Sequence, residues 1–317
     1  MEKFVLIDGN AILHRAYHAL PPFVRNGKPV GAVFGFTSML LKVISDLKPA
    51  YIAVAFDRPK PTFRQELFVG YQAGRPAMED DLVSQVEGVH DIVAALDIPI
   101  FEVDGYEADD LIGTLSVEAV KHKNIEVIIV SGDRDLLQLV NSHVKMFAPI
   151  KGLTETKMYD GAAVVEKYGI TPAQVIDMKA LMGDASDQYP GVRGIGPKTA
   201  STLLQKYETL ENLYKNLGEL SDKVRTALTD GSEQAALAKK LATIITDVPI
   251  KLKIETCRFE VKDKDKAIET FQTFGFRTLT DRLVLLLEGK PIEPMKPAKA
   301  TPKVEKKKED DNQLKLV

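Results

Sequence analysis

Seven acidic side chains follow the predicted strands in the first half of the chain. Asp8 ends the run FVLIDGN and Asp57 ends the run YIAVAFDRP. Two further runs, followed by GYEADDLIGT and ending in GDRD, add Glu107, Asp109, Asp110, Asp133 and Asp135. In open parallel sheets, active sites form beyond the carboxyl ends of the strands. We therefore expect these seven carboxylates to meet in one cleft.

Local spacing favours this convergence. Glu107 and Asp110 are neighbours on one helix face if the segment is helical, with Asp109 beside them. Asp133 and Asp135 share a face if the extended backbone continues beyond the strand. Asp is also common after a strand because it caps the next helix. Capping accounts for a single acid, but it does not account for the clusters EADD and GDRD.

Clustered carboxylates repel each other unless cations neutralise them. Oxygen ligands without His or Cys favour Mg²⁺ or Mn²⁺ over zinc. Two such ions, roughly 3.5–4 Å apart, can stabilise both the attacking water and the leaving oxygen of a phosphodiester. The five His residues have no zinc spacing, and His14 and His18 are interpreted as a surface pair. The sequence therefore predicts a two-metal phosphodiesterase site.

A glycine-rich segment, MGDASDQYPGVRGIGPKTA, occupies residues 182–200. Its stretch Gly191–Gly196 predicts a hairpin that opens a helix, where backbone N–H groups can approach a phosphate, and Lys198 adds a charge. A dinucleotide-binding loop is disfavoured because a helix precedes it, whereas an ordinary glycine-rich turn stays open. Asp184 and Asp187, just upstream, bring the candidate carboxylates to nine.

Strand and helix patterns alternate in the first half, which predicts an α/β fold with a mostly parallel sheet flanked by helices. The predicted strands are Lys3–Ile7, Tyr51–Phe56, Ile98–Val103, Ile125–Val130 and a weaker Val144–Phe147. The helical patterns are Gly35–Leu47, Leu82–Leu96, Asp109–His122, Pro172–Met182, Lys198–Lys206, Leu210–Asn216 and Glu233–Thr246. We predict an α/β domain at 1–170, a helical domain at 171–287 and a charged, disordered tail or linker at 288–317.

The net charge is −3. On charge alone, a protein that binds no nucleic acid or other polyanion is therefore an open alternative. Without the nine candidate acids, 36 of the 45 acidic residues remain against 42 Lys and Arg, a balance of +6. The N-terminus lacks the pattern of a secretory signal, no apolar run is long enough for a membrane span, and Cys257 stands alone. We expect a monomer in a bacterial cytoplasm with no membrane partner.

Five motifs together resemble the 5′-nuclease superfamily, which includes flap endonucleases and the 5′→3′ exonuclease domain of bacterial DNA polymerase I. They are LIDGNAILHRAYHA, FDRPKPTFRQE, GYEADDLIGT, SGDRDLLQLV and MGDASDQYPGVRGIGPKTA, and the last three are specific individually. The similarity runs from about residue 4 to about residue 287. It implies a resolvase- or PIN-like nuclease core and a SAM-like, helix–three-turn–helix domain with a helix–hairpin–helix element at 182–206.

The resemblance also implies roles for the nine acids. Asp8, Asp57, Glu107 and Asp109 would serve chiefly a first Mg²⁺ or Mn²⁺, and the second ion would be held by Asp110, Asp133, Asp135, Asp184 and Asp187. The helix–hairpin–helix would grip the duplex backbone and hold K⁺. Its candidate DNA-binding residues are Gly191, Gly194, Gly196, Lys198 and Thr199. Arg15, near Asp8 in the sequence, matches a family position that would orient a carboxylate.

By the same resemblance, residues of about 60–95 form the gateway, the family's helical arch, through which a 5′ single strand passes. Arg64, Tyr71 and Arg75 lie within roughly 20° of one helical stripe. Two cations and an aromatic ring suit phosphates and a stacked base. Gly70, Gly74 and Pro76 indicate a broken or mobile helix.

One position departs from the family, which commonly has Lys where this chain has Gln72. Gln72 can donate a hydrogen bond but carries no charge. Losing one positioned cation costs on the order of 10²–10³ in rate, by analogy with an oxyanion donor. We expect reduced or differently supported activity, with Arg75 stabilising the phosphate and Tyr71 unstacking the terminal nucleotide.

Three hypotheses follow. The leading one is a structure-selective 5′→3′ exonuclease and flap endonuclease for DNA replication and repair, acting on 5′ flaps, nicks, duplexes with a single-stranded 5′ end and RNA–DNA junctions. The second is a weakly active or non-catalytic DNA-junction binder, motivated by Gln72. The third is a ribonuclease with a related core. A DNA polymerase module is an expected partner, and we expect no polymerase activity from this chain alone.

Overall fold

The structure is a computed structural model that describes residues 1–25, 27–152 and 155–292. Most of the predicted tail at 288–317 lies outside these residues. The strands are β1 (Glu2–Asp8), β2 (Val24–Arg25), β3 (Lys28–Pro29), β4 (Tyr51–Ala55), β5 (Ile100–Phe101), β6 (Ile125–Val130), β7 (Val144–Lys151), β8 (Glu155–Tyr159), β9 (Gly183–Asp184) and β10 (Tyr189–Pro190).

Helices cover both faces of the sheet and form the second half of the chain. Those in the first half are α1 (Gly9–Ala19), α2 (Gly31–Leu47), α3 (Phe63–Leu67), α4 (Asp80–Val83), α5 (Val86–Ala95), α6 (Ala108–Ala119) and α7 (Gly161–Tyr168). Those in the second half are α8 (Val175–Met182), α9 (Pro197–Tyr207), α10 (Leu210–Lys215), α11 (Asp222–Asp230), α12 (Ser232–Ala242), α13 (Lys264–Thr273) and α14 (Arg277–Leu287).

The main sheet has the order β5-β4-β1-β6-β7-β8, and every neighbouring pair is parallel except β7 and β8. The central strands are continuous apolar runs because helices cover both of their faces. Phe4 and Leu6 point into one core and Val5 and Ile7 into the other, as the period of a strand requires. The predicted α/β class with a mostly parallel sheet and a helical second part is confirmed.

Register places the carboxyl ends of β1, β4 and β6 at one level. Asp8 pairs with Ala55 of β4, and Ile7 pairs with Val130 of β6. The acids that follow these strands therefore begin at the same edge of the sheet. This edge is where the candidate site lies.

In and beside the main sheet, three differences from the sequence predictions are informative. Strand β8 was not predicted, and it adds to β7 in the antiparallel direction. The predicted strand Ile98–Val103 shortens to Ile100–Phe101. The predicted helix Leu82–Leu96 is divided between α4 and α5, where the buried Gln85 accepts a hydrogen bond of 2.7 Å from the Ala32 amide. A side chain bonded to another helix thus interrupts an otherwise regular apolar pattern.

The last two helices return to the first part of the chain. Phe271 of α13 and Leu279 and Leu283 of α14 are buried in the same core as α2 and α5. By packing, these helices cover the sheet face opposite α6, although the sequence prediction counts them in the second domain. None of the helices in the described residues is long and apolar enough to cross a membrane.

Candidate metal centre

Eight of the nine predicted carboxylates line one cavity of about 580 Å³ at the carboxyl edge of the sheet. They come from the ends of β1 and β4, the start of α6, the segment after β6, and the turn between β9 and β10. The eight are Asp8, Asp57, Glu107, Asp109, Asp133, Asp135, Asp184 and Asp187. Residues separated by up to 179 positions in the sequence therefore share one wall.

Asp8 connects the end of β1 to two neighbouring segments. One carboxylate oxygen accepts a hydrogen bond of 2.9 Å from the Ala11 amide and so caps α1. The other accepts a hydrogen bond of 2.6 Å from the Ser131 hydroxyl, just beyond β6. Asp8 therefore caps a helix and also lines the cavity. An acid after a strand can serve both as a cap and as a site residue.

Two more acids of the cavity, Asp57 and Glu107, lie where the end of β4 meets the start of α6. Asp57 accepts a hydrogen bond of 2.6 Å from the Ala108 amide, which connects the end of β4 to α6. Glu107 is the N-cap of α6 and receives hydrogen bonds from the Thr62 hydroxyl at 3.1 Å and the Tyr71 hydroxyl at 3.2 Å. These donors fix Glu107 against the segment that follows β4.

Asp110 does not line the cavity, which corrects its prediction as a metal ligand. Both of its oxygens accept hydrogen bonds from Arg64, at 2.7 and 2.8 Å, and one also accepts from the Ile245 amide at 2.8 Å. Asp110 is 0% exposed and Arg64 only 2%. A charge buried this deeply needs a partner with matching geometry, and a bidentate guanidinium supplies it.

The sequence predicted that Arg64 lies on an exposed stripe that faces DNA. In the structure Arg64 is buried instead. Besides Asp110 and Glu107, its guanidinium donates to the carbonyl oxygens of Leu241 at 2.9 Å and Thr243 at 3.0 Å. It therefore joins the gateway to the end of α12. The helical periodicity of its position did not indicate this buried partner set.

The predicted stripe of Arg64, Tyr71 and Arg75 fails because the gateway is not one helix. Helix α3 ends at Leu67, and residues 69–74 form turns with Gln72 at φ +54°. Tyr71 is 4% exposed, and its ring lies parallel to that of Tyr189 at 6.3 Å between centroids. Arg75 stays exposed and lines the cavity.

A second group of acids in the cavity lining follows β6 and begins in β9. Asp135, Asp184 and Asp187 each offer an oxygen within 4.8 Å of the others, so we call them the acidic triad. The sequence predicted a shared face for Asp133 and Asp135 if the backbone stayed extended. The backbone turns instead into a 3₁₀ helix, and the Asp133 side chain accepts a hydrogen bond of 2.9 Å from the Asp135 amide.

Lys179 lies between two members of the acidic triad, and it was not among the site residues predicted from the sequence. Its ammonium contacts both Asp135 and Asp184 from the last turn of α8. Burial acts to lower its pKa, but these two carboxylates raise the pKa above its usual value. Its position five residues before Asp184, on the helix that opens the glycine-rich hairpin, was the available signal.

Burial in the cavity wall and repulsion between carboxylates change the acidity of the group. Burial raises the pKa of Asp8 and of Glu107 to about 7. Burial, with the charge of Asp133, also raises the pKa of Asp135 to about 7. Burial and the neighbouring acids hold the pKa of Asp109 well above its ordinary value. Such a set binds either protons or cations near neutral pH.

Close backbone contact positions the turn that carries Asp184 and Asp187. A Cβ on Gly183 would lie 2.3 Å from the Gly191 amide nitrogen, and one on Gly191 would lie 2.2 Å from the Gly183 nitrogen. Gly183 also has φ +71°. A Cβ on Gly191 would thus meet the backbone of Gly183, whereas a Cβ on Gly194 or Gly196 would meet open space.

The remaining predicted DNA-binding residues divide by location. Gly196 is the N-cap of α9, and Lys198 in its first turn is exposed while Thr199 is half-buried. Arg193, which was not singled out from the sequence, is exposed on the same hairpin. Arg15 is not among the residues that line the cavity, and its Nε donates to the Gly152 carbonyl oxygen at 2.8 Å.

Two family models match the chain. The 5′-3′ exonuclease, N-terminal resolvase-like domain, matches residues 3–169. The 5′-3′ exonuclease, C-terminal SAM fold, matches residues 170–265.

Relatives of known name share about two fifths of their residues with the chain. DNA polymerase I of Bacillus caldotenax is 41% identical over 285 residues, which is 89% of this chain and 32% of the relative. DNA polymerase I of Mycobacterium leprae is 39% identical over 282 residues, 88% of this chain and 31% of the relative. The chain thus spans about a third of the length of these relatives.

Solved structures share the fold at lower identity. T5 5′-exonuclease with bound zinc ions aligns with a TM-score of 0.64 at 19% identity, over 90% of this chain and 99% of that chain. The catalytic core of Rad2 in complex with DNA substrate aligns with a TM-score of 0.59 at 16% identity, over 90% and 92% of the two chains.

Proposed function

Because this chain belongs to the 5′–3′ exonuclease family, we propose that it hydrolyses DNA from 5′ ends and at 5′ flaps with divalent cations. The observation that carries the proposal is the convergence of eight carboxylates on one cavity. A flap endonuclease of bacteriophage T5, solved with DNA and metal ions, has the same fold with a TM-score of 0.63 and supports this chemistry. Nicks, flaps and RNA–DNA primer junctions are the proposed substrates.

The carboxylates fit two hard cations, Mg²⁺ or Mn²⁺, because the donors are oxygen atoms of acidic side chains. Asp8, Asp57, Glu107 and Asp109 would hold the first ion, and Asp133 with the acidic triad would hold the second. Bound there, the ions would activate a water and stabilise the leaving oxygen, which gives a 5′-phosphate and a 3′-hydroxyl. Asp110 belongs to neither group, since Arg64 engages both of its oxygens.

Two residues of the gateway have different roles in this proposal. Arg75 is exposed at the cavity and presents a guanidinium to the scissile phosphate. Tyr71 holds Glu107 through its hydroxyl at 3.2 Å and shields the carboxylate from water with its ring. This buried position replaces the earlier expectation that Tyr71 stacks on the terminal base.

The glycine hairpin supplies the grip on the duplex. A Cβ on Gly194 or Gly196 would meet no neighbour, so a phosphate can approach the N-terminus of α9 there, and Lys198 and Arg193 add charge beside it. Carbonyl oxygens of the same loop would hold a K⁺ against the phosphate. Contacts of this kind position a duplex without reading its sequence, so substrate choice rests on the shape of the junction.

A 5′-labelled flap substrate tests the proposal. With Mg²⁺ we expect release of the flap, and we expect EDTA or Asp184→Asn to abolish it. Asp91→Asn is the matched control, because Asp91 is exposed and lies outside the cavity lining. Persistent cleavage in EDTA or in Asp184→Asn would refute a metal-dependent site at these acids. Parallel RNA and DNA flaps separate this activity from that of a ribonuclease.

One observation favours the second candidate, a DNA-junction binder with little activity. Gln72 occupies the position of a cation in the family, and its amide is bonded to Asp187 at 2.7 Å. A wild-type chain that binds flap DNA but gives no product with Mg²⁺ or Mn²⁺ would establish this alternative. A DNA polymerase module is the proposed partner, given the relatives' names and lengths.

A further inference from the structure

Residues 68–75 of the gateway, which we call the gateway turns, contact the turn that carries two members of the acidic triad. The Gln72 amide nitrogen donates to the Asp187 carbonyl oxygen at 2.9 Å. The Gly74 amide donates to the Gln188 side-chain oxygen at 2.6 Å. Tyr71 and Tyr189 stack beside these bonds. Segments more than a hundred residues apart are thus joined at the edge of the cavity.

The side chain of Gln72 adds a bond of a different kind. Its Nε2 donates to Oδ1 of Asp187 at 2.7 Å. Since Asp187 belongs to the acidic triad, this bond fixes the orientation of a carboxylate whose neighbours, Asp135 and Asp184, lie within reach of the same cation. Among the described residues no hydrogen bond engages Oδ2 of Asp187, so this oxygen is available to a cation.

The backbone at this contact is unusual on both sides. Gln72 has φ +54° and Gln188 has φ +59°, in a region of backbone conformation that residues other than glycine rarely occupy. Such conformations persist when the surrounding contacts determine them, and they cluster at sites of function. Here the determining contacts are the hydrogen bonds between the gateway turns and Asp187 and Gln188.

We propose that Gln72 is a positioning residue for Asp187: its amide holds one carboxylate oxygen so that the other faces the cation of the acidic triad. The inference rests on the proposed metal-dependent function. It gives Gln72 a role that a neutral side chain fulfils and that needs no contact with the substrate. Donors that orient a ligating carboxylate typically change metal affinity by roughly 10–100-fold when removed.

Mn²⁺ binding to the whole chain without DNA tests this role, with free Mn²⁺ measured by electron paramagnetic resonance. Gln72→Met keeps the length of the side chain and removes the donor. We expect it to weaken Mn²⁺ binding at one site by roughly 10–100-fold and to leave a second site unchanged. Gln72→Lys can still donate to Asp187 but adds a positive charge beside the cation, so we expect it to bind Mn²⁺ more weakly than the wild type as well. The unfolding midpoint of each variant in EDTA verifies that the fold is retained.

Gln188→Met separates the carboxylate bond from the docking of the gateway turns. It removes the acceptor of the Gly74 amide but leaves the bond between Gln72 and Asp187. We expect faster hydrogen exchange at Gly74 with Mn²⁺ affinity equal to that of the wild type. Equal losses of affinity in Gln188→Met and Gln72→Met would show that docking, and not the Gln72 amide, controls the site.

The outcomes distinguish the inference from the proposed function. If the wild type binds Mn²⁺ and cleaves flaps while Gln72→Met binds Mn²⁺ equally well, the positioning role is wrong and the nuclease proposal stands. If the wild type neither binds Mn²⁺ nor cleaves, the proposed function fails and the inference fails with it. A loss of Mn²⁺ affinity in Gln72→Met that is absent from Gln188→Met supports both.

Discussion

At the scale of single residues, three acids of the cavity bind protons more readily than ordinary carboxylates do. Burial raises the pKa of Asp8, Glu107 and Asp135 to about 7, whereas the same groups in an unfolded chain titrate near their ordinary values, about 4. The folded state therefore binds more protons than the unfolded state between these values. Their contribution to stability is full below about pH 4 and is lost as the pH rises through about 7.

The first prediction concerns this pH dependence. In EDTA, the free energy of unfolding of the wild type should fall between pH 5 and pH 8 relative to that of Asp135→Asn, which cannot ionise at this position. Mg²⁺ should remove the difference in slope for the wild type, because the cation replaces the protons. Denaturant titrations at the two pH values measure it. Parallel pH profiles for both proteins in EDTA would contradict the raised pKa of Asp135.

The second prediction concerns the buried pair of Arg64 and Asp110. Arg64→Met leaves the Asp110 carboxylate buried without its guanidinium, and breaking a buried pair from one side costs about 3–5 kcal/mol. We expect a loss of that size in the free energy of unfolding. The double variant Arg64→Met/Asp110→Leu should recover part of it. It leaves no uncompensated charge, but the Leu241 and Thr243 carbonyl oxygens and the Ile245 amide still lose their partners. A single variant as stable as the wild type would refute a structural role for the pair.

The third prediction returns to the charge missing from the gateway. Gln72→Lys adds a cation to the cavity lining, where charge develops on the phosphate, and one positioned group is worth on the order of 10²–10³ in rate. We expect a higher single-turnover rate of flap cleavage at saturating Mg²⁺. A rate that is unchanged or lower would mean that position 72 does not face the reacting phosphate.

The sequence predicted the acids of the site but not which of them are engaged by other side chains. The strand ends identified Asp8 and Asp57 because parallel strands share an edge, and the structure places both in the cavity. Asp110 has the same spacing and residue type, yet its partner is Arg64, 46 positions earlier. A contact of that separation leaves no local pattern. Lys179 pairs with Asp135, 44 positions earlier, in the same way, although its spacing of five residues from Asp184 was a local signal.

At the scale of elements, the glycine-rich hairpin combines two different uses of glycine. Gly183 and Gly191 allow two backbones to approach, which fixes the turn carrying Asp184 and Asp187. Gly194, with φ +87°, and Gly196 lie in open space at the start of α9. Gly191 was predicted to contact phosphate, like Gly194 and Gly196. The motif alone does not show which glycine faces another backbone.

The fourth prediction separates these uses. Gly191→Ala forces the hairpin apart, and overpacking of this kind typically costs about 1–3 kcal/mol. We expect lower stability and, since Asp184 and Asp187 move, lower flap-cleavage activity. Gly196→Ala is the matched control for the fold: it should keep the unfolding free energy of the wild type while weakening DNA binding. Equal stability of Gly191→Ala and Gly196→Ala in denaturant titrations would refute the distinction.

The gateway shows where helical periodicity is insufficient. Arg64, Tyr71 and Arg75 have the spacing of one helix face, but α3 ends at Leu67 and the chain continues in turns. Gly70 and Gly74 were the local signals for this break. The direction of the turns was not predictable, because it depends on contacts with Asp187 and Gln188 in the second half of the chain.

At the scale of the whole molecule, the two halves of the chain meet at the cavity. The first half supplies six of its carboxylates, from the ends of β1, β4 and β6 and the start of α6, and β9 with the turn after it supplies two. Arg64 joins the gateway to α12, and α13 and α14 return to the core of the first half. The fold class followed from alternating patterns, whereas this arrangement of the halves depends on contacts distant in sequence. The site is complete only when both halves are folded together.

The most direct test of the account is anomalous diffraction from crystals of this chain soaked in Mn²⁺. The account predicts two peaks in the cavity, roughly 3.5–4 Å apart. One peak should contact the acidic triad and the other should contact Asp8 and Asp109. Cavity acids without a peak, or Mn²⁺ bound only at other acids, would contradict the claim that these carboxylates form a two-cation site.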